Sequence, residues 1–157
     1  MIIVGEKLNS SIPSVKRLFD AGDTEGLRSL VLRQRDAGAE YIDINTSICA
    51  DESGCMEMLC DMVLQDTDCG IMVDSPDVGV CKRALDYISA QGGRRCIVNS
   101  ITVNERHENI EASLRCGAGI VVLLTDKSGI PNSASARTDN ARRMIALLRE
   151  RGIEDER

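Results

Sequence analysis

The stretch from Gly70 to Ile88, GIMVDSPDVGVCKRALDYI, decides how the rest of the chain is read. Ile71-Met72-Val73 is a short apolar run that stops at a carboxylate, Asp74. Ser75-Pro76 breaks the run, and a helix is expected from Pro76, a residue suited to the first helical turn, with Ala84, Leu85 and Ile88 on its buried face. A buried strand leading straight into an amphipathic helix is the repeating unit of a parallel sheet. The same design recurs on either side: AEYIDIN (Ala39 to Asn45) ends in Asp43 and Asn45, and RCIVNS (Arg95 to Ser100) ends in Asn99. Polar tips at equivalent places on several strands point to a shared site.

Working outward, strand one is expected at Ile2–Val4 and strand two at Tyr41–Ile44. Between them a helix starts near Asp23, a suitable N-cap, carries Leu27, Leu30, Val31 and Ala37, and ends at Gly38. A second helix presents Met56, Leu59, Val63 and Leu64 on one face. Gly92-Gly93 turns the chain into strand four, Cys96–Val98, and a helix follows from about Asn104 to Arg115. Strand five, Ile120–Leu124, is continuously apolar, as expected of a parallel strand covered on both faces. A last helix begins near Ser133, with Ala141, Met144, Ile145 and Leu148 on its apolar side.

The 157 residues read as a single α/β domain of five βα units, with no linker or low-complexity tract. Two folds accommodate five units. A flavodoxin-like doubly wound sheet is complete at about this length. A TIM barrel needs eight units, so the chain would be an incomplete barrel holding about five of them. In both, ligands sit at the C-terminal ends of the strands. The loop after strand one, GEKLNSSIP, has a single glycine and offers no phosphate cradle, which weighs against a nucleotide-binding sheet.

A net charge of −6 and 2% aromatic residues exclude the basic stripe and stacking platforms that nucleic acid requires. No apolar stretch approaches the roughly 20 residues of a bilayer span, and the first residues lack a signal pattern, so the expected location is the cytoplasm. Seven cysteines, at 49, 55, 60, 69, 81, 96 and 116, form no C-x-x-C pair. They read as small buried hydrophobes, and no metal site is expected.

Taken in order, GEKLN (Gly5 to Asn9), DAGAEYIDIN (Asp36 to Asn45), VDSPDVGVCKRAL (Val73 to Leu85), VNSIT (Val98 to Thr102) and LLTDKSGIP (Leu123 to Pro131) resemble the pterin-binding barrels. The resemblance is strongest to the methyltetrahydrofolate:corrinoid protein methyltransferases, and extends to dihydropteroate synthases and the folate domain of cobalamin-dependent methionine synthase. It implies a pterin-binding domain over residues 1–157 that stops after the fifth βα unit. An aspartate ending strand six and an asparagine after strand seven of the family have no counterpart here, so no catalytic residue is assigned. It further implies a transferase of one-carbon metabolism, moving a methyl group between N5 of methyltetrahydrofolate and the cobalt of a corrinoid (cobalamin-type) cofactor carried by a partner protein. A dihydropteroate synthase would need a basic loop for a departing pyrophosphate, and none is convincing after strand one. The non-catalytic alternative is a fragment that at most binds pterin, and an unpaired sheet edge would give it a route to a homodimer.

The resemblance places Asp74 and Asn99 at pterin-holding positions. A carboxylate accepts two N–H bonds from the guanidine-like edge of the ring, and a carboxamide both gives and receives. Asp43 and Asn45 are expected as a hydrogen-bonded layer beneath the site, Glu6 and Asn9 at its mouth, and Ser100 beside Asn99. Lys7 stands where the family often has arginine. Without the resemblance, Asp74 reads as a helix N-cap, and Asn99 and Ser100 as partners of loop backbone. His107 reads as a solvated surface residue, Glu154-Asp155-Glu156 as a frayed acidic tail, and the TDKSGIP loop as a rim loop or plain connector.

Overall fold

The computed structural model describes residues 1–92 and 95–153. Five strands, β1 (Val4–Asn9), β2 (Tyr41–Asn45), β3 (Gly70–Asp74), β4 (Cys96–Thr102) and β5 (Gly119–Leu123), form one parallel sheet. Their order in the sheet is their order in the chain. Helices α1 (Pro13–Ala21) and α2 (Thr24–Asp36) join β1 to β2, and α3 (Glu52–Asp66), α4 (Val78–Ala90) and α5 (Glu108–Cys116) fill the next three crossovers. α6 (Ala134–Glu150) follows β5.

Each crossover helix packs on the strands it joins, and neighbouring helices from α1 to α5 touch one another. Helices α1 to α5 therefore form one layer over one face. A doubly wound sheet would place helices on both faces and reverse its strand order, so that alternative does not hold. The sequential order is that in which the units of a TIM barrel follow one another.

The period-two alternation of the strands explains this division. Ile42 and Ile44 of β2, Ile71 and Val73 of β3 and Val98 of β4 are fully buried and belong to one core shared with Leu27, Val31, Met56, Leu59, Val63, Leu85 and Ile88 of the helices. Each such side chain contributes about 1.5–3 kcal/mol of burial. A second cluster, Ile101, Val103, Ile110, Met144 and Ile153, seats α6 beyond β4 and β5. Tyr41, Asp43 and Asn45, at the alternate positions of β2, point to the other face. Among the described residues no helix is long and apolar enough to cross a membrane.

Several boundaries differ from expectation for local reasons. β1 begins at Val4, where pairing with Tyr41 starts, and Ile2 and Ile3 are exposed. α1 was not anticipated; its apolar set Val15, Leu18 and Phe19 is short, and its first turn takes Pro13. α4 begins at Val78 rather than Pro76, because the Asp77 carboxylate accepts from the N–H groups of Gly79 and Val80. α5 begins at Glu108 rather than Asn104. The Thr102 hydroxyl gathers the N–H groups of Asn104 and Glu105 into a turn, and Arg106 adopts φ 62°. β5 is not covered on both sides: among the described residues it pairs only with β4, and its residues are half-buried or exposed. Ala37 is exposed at the end of α2, and Ile145 is 46% exposed on α6. Asp23 caps α2 as expected, and α6 begins where expected, with Ser133 as its N-cap. Gly93 and Glu154-Asp155-Glu156 lie outside the described residues.

Candidate functional site

Parallel pairing carries the polar tips into one line, with one register shift in β1 between Gly5 and Leu8 on the way. Asn9 is in register with Asn45, Asn45 with Asp74, and Asp74 with Asn99. Four hydrogen-bonding side chains thus stand side by side on four adjacent strands. They are the last residue of β1, β2 and β3 and, in β4, which runs on to Thr102 rather than ending at Val98, the residue three before its end. Since cross-strand neighbours share a face, the row lies on the face opposite the helices. The next strand breaks it: Asn99 is in register with Val121.

The row is held by its own bonds and by the loops that follow each strand. Asn45 Nδ2 donates to Asp74 Oδ2 at 2.7 Å, and Asn45 Oδ1 accepts from the backbone N–H and hydroxyl of Ser47 at 3.1 and 2.7 Å. Asn9 Oδ1 accepts from the Ser11 N–H at 2.8 Å. The Ser75 hydroxyl, directly after Asp74, donates to Glu52 of α3 at 2.5 Å. Ser10, fully buried, receives the Ile48 N–H and donates its own N–H to the Asn45 carbonyl. Ser10, Ser47 and Ser75 were missed in the sequence because serine in a loop carries no signal of its own.

Asp43 lies two residues before Asn45 on the same face, one layer beneath the row, and is 6% exposed. Its Oδ2 accepts from Asn99 Nδ2 at 3.3 Å. Burial, the neighbouring Asp74 carboxylate and, more weakly, Glu6 push its carboxyl up to about 7, against the opposing Asn99 bond. A carboxyl that changes charge near neutrality, on an open face beside an Asp and an Asn, is a feature concentrated at functional sites.

The other expected residues fall as follows. Glu6 does not close β1; it lies within the strand, exposed, in the irregular stretch between Gly5 and Leu8. Ser100 is buried, just past the row, where the β4–β5 register shifts and the Asn99–Ser100 peptide is cis. The N-cap role considered for Asp74 belongs to Asp77. His107 is not a free surface residue: its ring is half-buried and Nε2–H donates to the Thr102 carbonyl at 3.0 Å. The TDKSGIP loop folds on itself through paired Asp126 and Gly129 bonds and is tied to α6 by Asn140, which donates to the Leu124 carbonyl and Asp126. Burial pushes the Cys60 and Cys81 thiols up to about 12 and about 11, so both are inert packing groups. Among the described residues no group of three His, Cys, Asp or Glu side chains could hold a metal ion.

A separate cavity of about 350 Å³ opens at the N-terminal ends of the strands, lined by Ile2, Tyr41, Arg95, Ile97 and Val121 among others. The Arg95 guanidinium lies 5.2 Å from the centre of the Tyr41 ring there. It does not reach the row.

What the row can do follows from its donors and acceptors. It combines one carboxylate with three carboxamides, spaced by the distance between strands, roughly 5 Å. Such a set can both donate to and accept from the edge of a planar ring. It has no cation cluster for phosphate.

The family described as pterin binding enzyme matches residues 6–156. A methylcorrinoid:tetrahydrofolate methyltransferase of Eubacterium limosum is 27% identical over 158 residues, 98% of this chain and 57% of the relative. The chain thus spans little more than half the length of that protein.

Proposed function

The chain belongs to the pterin-binding enzyme family, and from that premise we propose that it serves methyl transfer between N5 of methyltetrahydrofolate and the cobalt of a corrinoid protein. The observation that carries the proposal is the in-register row Asn9, Asn45, Asp74, Asn99 toward the C-terminal side of the sheet. The relative named as a methylcorrinoid:tetrahydrofolate methyltransferase supports the choice of reaction.

In this reading Asp74 is the principal anchor. Asn45 occupies its Oδ2, so Oδ1 is left to accept from ring N–H groups. Asn99, one strand over, bonds the neighbouring part of the ring. Asn45 and Asp43 hold these two side chains in place, and Asn9 and Glu6 flank the open side. The residues of this chain bind and orient the pterin so that its N5 methyl faces outward, and pre-orientation is itself a large share of rate enhancement in group transfer. The corrinoid, carried by a separate protein, supplies the nucleophilic cobalt. N5 is a tertiary amine and leaves only when it gains a proton or strong hydrogen bond. The 157 residues act as one pterin-binding domain.

Calorimetric titration of 5-methyltetrahydrofolate into the chain and its Asp74→Ala variant tests the reading. Weakening by at least about tenfold is expected, from the loss of charge-assisted hydrogen bonds. Equal affinity in the two would remove Asp74 from the site.

A further inference from the structure

The two asparagines that flank Asp74 are held very differently. The Asn45 carboxamide is fixed at both ends, Nδ2 on Asp74 and Oδ1 on Ser47, so its polarity is set. The Asn99 side chain has one hydrogen bond among the described residues, from Nδ2 to Asp43 Oδ2, and that bond is long, 3.3 Å. What Asn99 offers to the open face therefore depends on what Asp43 asks of it.

We infer that Asp43 is a positioning residue for Asn99, selecting which atom of its carboxamide faces the ligand and so coupling ligand grip at the row to the release of one proton. The inference rests on the proposed pterin reading for its ligand, although not for the coupling itself. An ionised carboxylate only accepts, so it holds the Asn99 amide with Nδ2 inward and Oδ1 outward, an acceptor for ring N–H groups. A protonated carboxyl can also donate. It then satisfies Oδ1 as readily as Nδ2, and the carboxamide is free to turn its donor outward. The proton comes from and returns to solvent across the open face.

Geometry makes Asp43 the group that titrates. It is buried beneath the row, and the charges that act on it are both carboxylates, Asp74 from β3 and Glu6 from β1. Its polar partner is Asn99 of β4, and the helix layer lies on the opposite side of the sheet. Burial between like charges favours the neutral form, and the titration falls near pH 7.

The coupling is read first without ligand. In the chain labelled with 15N, the Asn99 side-chain amide, identified by its loss in Asn99→Ser, should shift across pH 5–9 with an inflection near pH 7. Asp43→Asn should abolish that inflection. Glu6→Gln removes one like charge and should move the inflection down by about 0.3 pH units; it keeps the test decisive if Asp43→Asn does not fold. An Asn99 amide that stays still across the range, or titrates unchanged in both variants, overturns the inference.

Calorimetry with 5-methyltetrahydrofolate supplies the second arm. Binding at pH 8.5 should exceed binding at pH 6 by about threefold or more, the worth of one neutral hydrogen bond, and should be flat in Asp43→Asn. Wild-type affinity independent of pH overturns the coupling to ligand. If Asp74→Ala binds as tightly as wild type, the pterin reading fails while the amide titration stands. If Asp74→Ala loses affinity and the amide does not titrate, only the present inference fails.

Discussion

β3 and β5 are written in nearly the same letters, GIMVD and GIVVL, yet they live differently. β3 is paired on both sides and its first four residues are buried; β5, among the described residues, is paired on one side only and is half-open along its length. β3 ends in a carboxylate within a row of amides, and β5 ends in a leucine 40% exposed to solvent. Apolar content marks a strand but not its place in the sheet. The residue at its tip reports more about chemistry than the four before it.

The largest expected effect sets the two strands against each other. Ile71→Ala should cost about 4 kcal/mol of stability in chemical denaturation and Ile120→Ala about 1.5, since only the former opens a cavity in a closed core. Equal costs would break the comparison. The tips come next. Replacing Asp74 should weaken 5-methyltetrahydrofolate by tenfold or more, whereas Leu123→Ala should leave affinity within about twofold of wild type, having no polar group to lose.

Asp43 yields a smaller effect with a definite sign. The folded chain keeps a proton up to about pH 7 that the unfolded chain releases near pH 4, so this group's contribution to stability is greatest below pH 4 and is lost as pH rises through 7. Discounted for solvent at the open face, the loss is about 2 kcal/mol. Asp43→Asn should flatten that slope in denaturation curves taken between pH 4 and 8. Asp77→Ala, which frees two N–H groups at the start of α4, should cost about 1 kcal/mol. At the edge, Leu123→Ser should change stability by less than about 0.5 kcal/mol, and a larger loss would mean that the open edge is covered in solution.

Much of this was legible before any coordinates. β2, β3 and β4 announce themselves by Ile and Val ending in a polar tip, and the spacing of Asp43 and Asn45 already puts both on one face. What the sequence hides is register. That Asn45 meets Asp74 and Asp43 meets Asn99 depends on how strands slide past each other, which no single strand records. α1 was hidden because three apolar residues in a polar stretch look like a loop. β5 misled because a continuous apolar run describes an edge strand under one layer of helices as well as a strand covered on both faces. Ile2 and Ile3 look like a strand in the sequence, yet their side chains are exposed, although the Ile3 carbonyl accepts from the Glu40 and Tyr41 N–H groups.

The sheet's strand order has a consequence for how the molecule comes into being. Every strand finds its partner in the one made just before it, so each pairing closes a loop of only about 30 residues. Such a sheet can be laid down vectorially during synthesis, each βα unit docking on the last as it clears the ribosome. A nascent chain arrested after α4 would by then carry Asn9, Asn45 and Asp74 already aligned.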